Sequence, residues 1–231
     1  MGVREKPPDP FSDPLKTTIK NFCIVVAFGI AFGYIEAAVV VYLREIFHPE
    51  GFTFPMKVFG AGPLAKRLLL TEVGREAATL VVILTGAWLF GRNRRQQVAY
   101  FLAIFAVWDI FYYVWLKVLI GWPASMMDWD ILFLIPVTWA APVLYPVLVA
   151  FTMLVFAMMI LYRSSGGGTV KTTRLDRLAF LLCGLILVVC FCVAGRHSTE
   201  QDFKSHFYWP LFAAGYLPGV AVFVKCLRKP R

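Results

Sequence analysis

Residues 22–43 read FCIVVAFGIAFGYIEAAVVVYL, 22 residues with a single charged side chain, Glu36. About 20 apolar residues suffice to cross a bilayer core as an α-helix. A membrane β-strand would instead alternate over about ten residues, and this run does not alternate. In a bilayer only helices and closed barrels satisfy the backbone polar groups. The stretch therefore points to an all-α membrane protein. Outward from it, five more apolar runs lie at 76–90, 98–120, 131–162, 178–194 and 207–227.

Composition agrees with that class. The chain has 231 residues, of which 59% are hydrophobic and 16% charged; a soluble domain carries roughly 25% charged residues. This excludes a disordered chain, a secreted disulfide scaffold and a nucleic-acid-binding domain. The expected fold is a polytopic six-transmembrane-helix bundle with a proline-broken fourth segment. The expected organisation is a cytoplasmic tail over 1–20, a membrane domain over 21–227 and a cytoplasmic end at 228–231. Within the membrane domain lie an outer interfacial loop, 44–75, and a cytoplasmic linker, 163–177. The second span has an alternative start: Pro63 suits a first helical position, and a helix over 64–90 would place Glu76 well inside it.

Lysine and arginine set the orientation. With the N-terminus inside, 15 of the 23 basic residues fall on the inner side, seven on the outer side, and Lys117 within the third span. Both termini are thus expected in the cytoplasm, in a bacterial-type plasma membrane, and the net charge of +9 is first a topology signal. The first apolar run is too long for a signal-peptide core and lacks a small-residue cleavage pattern.

The fourth run, 131–162, would reach ~48 Å as one helix, more than the ~30 Å core. Pro136, Pro142 and Pro146 occupy its first half, and proline removes backbone donors and kinks helices. A re-entrant or interfacial piece to about Ala141, followed by a true span, is expected.

Ionisable groups within spans mark function by default. Glu36 and Asp109 stand out, with Lys117 near the end of the third span. Asp109, Tyr113 and Lys117 recur every four residues and Tyr112 is three from Asp109, so they form one helical stripe. Gly29 and Gly33 make a small-xxx-small face that turns Glu36 inward. The expected site is an acidic, aromatic-lined cavity open to the outer face. Its lining would be Glu36, Asp109, Tyr112, Tyr113 and Lys117, with Trp139 and Glu76 as further candidates. The competing reading is a polar network that only fixes helix register.

Other acids gather near the outer rim: Glu45, Glu50, Glu72, Glu76, Asp128 and Asp130. Glu72 and Glu76 share a helical face, with Arg75 placed to neutralise one of them. Asp130 is a candidate cap for the fourth helix. His48 with Glu45, Asp128 and Asp130 is a weaker metal-site candidate, because no recognised ligand spacing is present. The five cysteines lie in or beside helices in no zinc or redox pattern. No histidine falls mid-span, which argues against a bis-His haem b in the membrane core.

Three functional classes follow. The first is a small transport or small-molecule/ion-binding protein using the cavity. The second is a non-catalytic accessory subunit of a larger membrane complex, docking through its aromatic and glycine faces. The third is an intramembrane enzyme, with or without a metal, on a lipid or quinone-like substrate. The expected partners are the bilayer, a small molecule or cation, and other membrane proteins; nucleic acid is not among them.

Overall fold

The computed structural model describes residues 14–56 and 63–228. Its helices are α1 (Pro14–Phe47), α2 (Pro63–Phe90), α3 (Arg94–Ile120), α4 (Leu144–Ser165), α5 (Arg174–Arg196) and α6 (Trp209–Arg228). Two short strands, β1 (Trp129–Phe133) and β2 (Trp139–Pro142), lie between α3 and α4, and a 3₁₀ turn, Phe203–His206, precedes α6. Residues 1–13 of the expected tail, 57–62 of the expected interfacial loop and 229–231 of the expected C-terminal end lie outside the described residues. Residues 14–20, also expected in the tail, are the first two turns of α1.

Among the described residues, five helical segments are long and apolar enough to cross a membrane: α1, α3, α4, α5 and the run Phe203–Arg228. This differs from the six spans expected. The exception is α2, whose first half carries Lys66, Arg67, Glu72, Arg75 and Glu76. Only its second half is free of charge, and that half is short of the ~20 residues a span needs.

The central element is α3, which packs against α1, α2 and α4; α5 and α6 form a pair. Gly29 and Gly33 let α1 approach α3 closely. A Cβ on Gly29 would lie 2.8 Å from Val107 Cγ1, and one on Gly33 would lie 3.0 Å from the Trp108 carbonyl oxygen. Away from this seam the α1–α4 core is built from Val25, Ile83, Tyr100, Ile104, Trp108 and Leu161. A second core joins the strands to α5 and α6 through Trp129, Ala140, Ala141, Phe191, Phe203 and Phe212.

The fourth apolar run is not helical before Leu144, and the piece expected to about Ala141 is neither a re-entrant nor a proline-broken helix. Its place is taken by an antiparallel hairpin, with Trp129 opposite Pro142, Asp130 opposite Ala141 and Ile131 opposite Ala140. The register shifts between Ile131 and Phe133, before Phe133 meets Trp139. Cross-strand pairing satisfies backbone groups that a proline-interrupted helix would leave open. The small Ala140 and Ala141 are fully buried and let α5 lie on β2. The fit is closest at Gly195, where a Cβ would fall 2.0 Å from the Thr138 carbonyl oxygen.

The hairpin, the C-terminal ends of α1, α3 and α5 and the starts of α2, α4 and α6 share one end of the molecule. The other end carries Arg92, Arg94, Arg95, Arg163, Arg174, Arg177, Lys225 and Arg228. There Thr173 and Asp176 form a reciprocal capping box at the start of α5. Lys225 Nζ of α6 donates to Asp176 Oδ1 at 3.1 Å, and Arg163 donates to the Leu227 carbonyl, joining α4 to α6.

Candidate functional site

At the hairpin end, α1 and α2 both lean on α3 but scarcely touch each other. The wedge between them is a cavity of about 140 Å³, closed by α3 on one side and by residues 130–134 of the hairpin on another. At the volume water occupies in the liquid, this holds roughly four or five molecules. Its walls carry five carboxyl groups, Glu36, Glu72, Glu76, Asp109 and Asp130, and two guanidinium groups, Arg44 and Arg75. Apolar and aromatic side chains, among them Val40, Phe47, Leu68, Trp108 and Phe133, fill the rest.

The charges are arranged in two clusters. In the first, Arg75 of α2 forms ion pairs with Glu36 of α1 and Glu72 of its own helix. Its Nε donates to Glu72 Oε2 at 2.9 Å, and Thr79 Oγ1 donates to Glu36 Oε1 at 2.8 Å. In the second, Arg44 Nη2 donates to Asp130 Oδ1 at 3.0 Å, with both side chains buried. The same guanidinium lies 4.2 Å from the Phe52 ring centroid and 3.9 Å from that of Trp122, within cation–π range. The Tyr112 hydroxyl donates to Asp130 Oδ2 at 3.3 Å. Burial pushes the Asp130 carboxyl above its ordinary range, and the Arg44 charge opposes that shift.

Two acids form no salt bridge among the described residues, although Arg75 lies close enough for its charge to act on one of them, Glu76. Glu76 Oε2 accepts from the Leu134 backbone N–H at 2.8 Å, which ties α2 to the hairpin turn. Asp109 Oδ2 is shut off from solvent and makes no hydrogen bond among the described residues. An unsatisfied buried carboxylate oxygen is costly unless the group holds a proton or faces a cation.

Of the residues singled out from sequence, Glu36, Glu76, Asp109, Tyr112 and Tyr113 line this one cavity. Lys117 and Trp139 do not. Lys117 sits on the exposed last turn of α3, where its Nζ donates to the carbonyls of Gly121 and Pro123 at 3.0 and 2.8 Å. Trp139 packs between Phe133 and Phe191, at 5.5 and 6.5 Å between ring centroids. Asp130 does not cap α4, which begins after Val143 without a side-chain cap.

The set His48, Glu45, Asp128 and Asp130 is not brought together. His48 is at the cavity's rim, edge-on to Phe52 at 5.4 Å, and Glu45 is exposed. Asp128 Oδ2 accepts from the backbone of Ala124 and Ser125 at 2.7 and 3.1 Å, while Asp130 is engaged by Arg44. The group of metal-ligating side chains that does converge among the described residues is His197, Glu200 and His206.

Sequence reasoning passed over Arg44 and Thr79, and placed Glu72, Arg75 and Asp130 at the outer rim rather than in the cavity. One signal was available for Arg44. The positions Glu36, Val40 and Arg44 recur every four residues and extend the inward face begun by Gly29 and Gly33. No family model, curated protein or solved structure matches the chain.

Proposed function

We propose that the chain is a small transport or ion-binding membrane protein whose cavity takes up a small cation or proton. One observation carries this reading: the buried, unpartnered Asp109 carboxylate oxygen in a cavity whose carboxyl groups outnumber its guanidinium groups. Desolvated acids in excess of their counter-charges recruit a proton or a cation. Asp109 is the receiving group, and Glu76 assists from the facing helix. Arg75 and Arg44 hold Glu36, Glu72 and Asp130 in place. The five carboxyl groups on the cavity's walls suit a cation better than a lipid or quinone ring.

In this reading the basic end faces the cytoplasm, in keeping with the positive-inside rule, and both termini lie there. The cavity then opens toward the outer side of a plasma membrane. The membrane domain runs from the first span to α6, with the glycine-containing 163–177 segment as a cytoplasmic linker.

The test is uptake by vesicles holding the purified protein, with Na⁺, K⁺ and a proton gradient as probes. Wild type should show saturable, pH-dependent binding or flux of at least one. Asp109→Asn should abolish it, and Glu76→Gln should weaken it, while melting temperatures show both variants folded. Unchanged behaviour in folded Asp109→Asn, or no response of wild type to any probe, overturns the proposal.

A further inference from the structure

The turn between α5 and α6, residues 197–206, reads HSTEQDFKSH. We infer that it binds a divalent transition-metal ion of the zinc class, with His197, Glu200 and His206 as ligands. The chain is curled tightly here. His197 caps the C-terminus of α5, the Glu200 N–H donates to the His197 carbonyl at 3.0 Å, and the Phe203 N–H donates to that of Glu200 at 3.2 Å. These turns bring two histidines nine positions apart into a parallel stack, with ring centroids 3.8 Å apart and planes at 9°.

The donor atoms lie close together, and the rings rotate out of the stack for both nitrogens to face one ion. His197 Nδ1 is 2.8 Å from Glu200 Oε1, and His206 Nε2 is 3.5 Å from Glu200 Oε2. One ligand atom from each of the three residues lies within 4.8 Å of the others. Asp202 stands beside them, its Oδ2 3.4 Å from His206 Nε2. A second, independent feature is the state of His206 Nε2. It is shut off from solvent and makes no hydrogen bond among the described residues, despite two carboxylates nearby.

A lone pair on that nitrogen, a second imidazole nitrogen and a bridging carboxylate form a mixed N/O set. Zinc accepts such ligands in tetrahedral sites, and imidazole also suits copper and nickel. Calcium and magnesium take oxygen ligands and are disfavoured. Glu200 is about half exposed, at 49% of its side-chain surface, so an ion enters from solvent and keeps a water in a remaining position. None of the three ligands lines the cavity between α1 and α2, so this site is separate from the one above. The bound ion clamps the two ends of a turn whose Phe203 packs on Trp129 and Phe54, at 4.9 and 5.3 Å between centroids.

The test uses the full chain, purified in detergent and freed of metal, with Zn²⁺ as the probe. Wild type should retain one zinc per chain after desalting, and excess Mg²⁺ should not displace it. The double variant His197→Ala/His206→Ala should lose that zinc. A readout on wild type alone covers the case in which the variant fails to fold. Zinc should protect His197 and His206 from carbethoxylation by diethyl pyrocarbonate, as read by peptide mass, and leave His48 unprotected. No zinc retained by wild type, or equal zinc in the folded double variant, overturns the inference. So does modification of His197 and His206 that zinc leaves unchanged.

Discussion

Thr79 on α2 donates its hydroxyl to Glu36 on α1 at 2.8 Å. The bond crosses from one wall of the cavity to the other, beside the Arg75–Glu36 ion pair that joins the same two helices. Thr79 is buried, as is Glu36, and both line the cavity. A hydrogen bond to a charged group contributes about 1.5–3 kcal/mol net. Thr79→Val keeps the side-chain shape and removes the donor, and should lower stability by about that amount in denaturant titrations in detergent. Thr79→Ser keeps the hydroxyl and should recover most of the loss.

Arg44 and Asp130 form a buried pair between α1 and the hairpin. Removing one partner of such a pair costs ~3–5 kcal/mol, because the other is left charged and unpaired. Arg44→Met and Asp130→Asn should each fall in that range. The double variant should cost clearly less than their sum, and a double-mutant cycle of melting free energies measures the difference. Strict additivity would mean that the two groups do not interact.

Glycine-to-alanine changes should differ in sign along the chain. At Gly33 the added methyl would lie 3.0 Å from the Trp108 carbonyl and 3.1 Å from the Tyr112 nitrogen, both backbone atoms. Overpacking of this kind costs about 1–3 kcal/mol. Gly184, within α5, has nothing within 4 Å of the same position, so Gly184→Ala should stabilise by about 0.5–1 kcal/mol through helix propensity alone. Thermal melts of the two variants against wild type check the contrast.

The proposed orientation gives a fourth prediction. In a variant cleared of native cysteines, single cysteines at Asn93 and Gly168 should resist a membrane-impermeant maleimide added outside, and one at Ser125 should react. Labelling of Gly168 from outside would reverse the assignment.

The parts of the site that sequence made legible share a physical property. Glu36 and Asp109 are lone charges in apolar helical runs, where nothing but function or a buried network accounts for them. Arg44, Arg75 and Asp130 sit near the ends of such runs, where a charge ordinarily means solvent. Only the continuation of α1 to Phe47 and of α2 back to Pro63 puts the two arginines inside. Lys117 illustrates the opposite error. It continues the Asp109–Tyr113 stripe by period, yet the helix ends three residues later and the ammonium turns to loop carbonyls. The prolines of 131–146 argued against a straight helix, but the pairing of Trp129 with Pro142 is a relation between distant residues that no local period encodes. The stacked histidines depend likewise on how a ten-residue turn curls.

The hairpin also constrains the order in which this protein can be made. A two-stranded ribbon leaves the outward backbone groups of both strands without partners, and lipid offers none. Here α2 reaches the turn end of the ribbon through the Glu76–Leu134 bond, and α5 lies on β2. The strands leave the ribosome before α5 exists, so the surface of β2 that α5 covers stays uncovered until α5 has been synthesised. A chain stopped after α4 would present an uncovered ribbon to the membrane. It is the truncation that cellular quality control should destroy fastest.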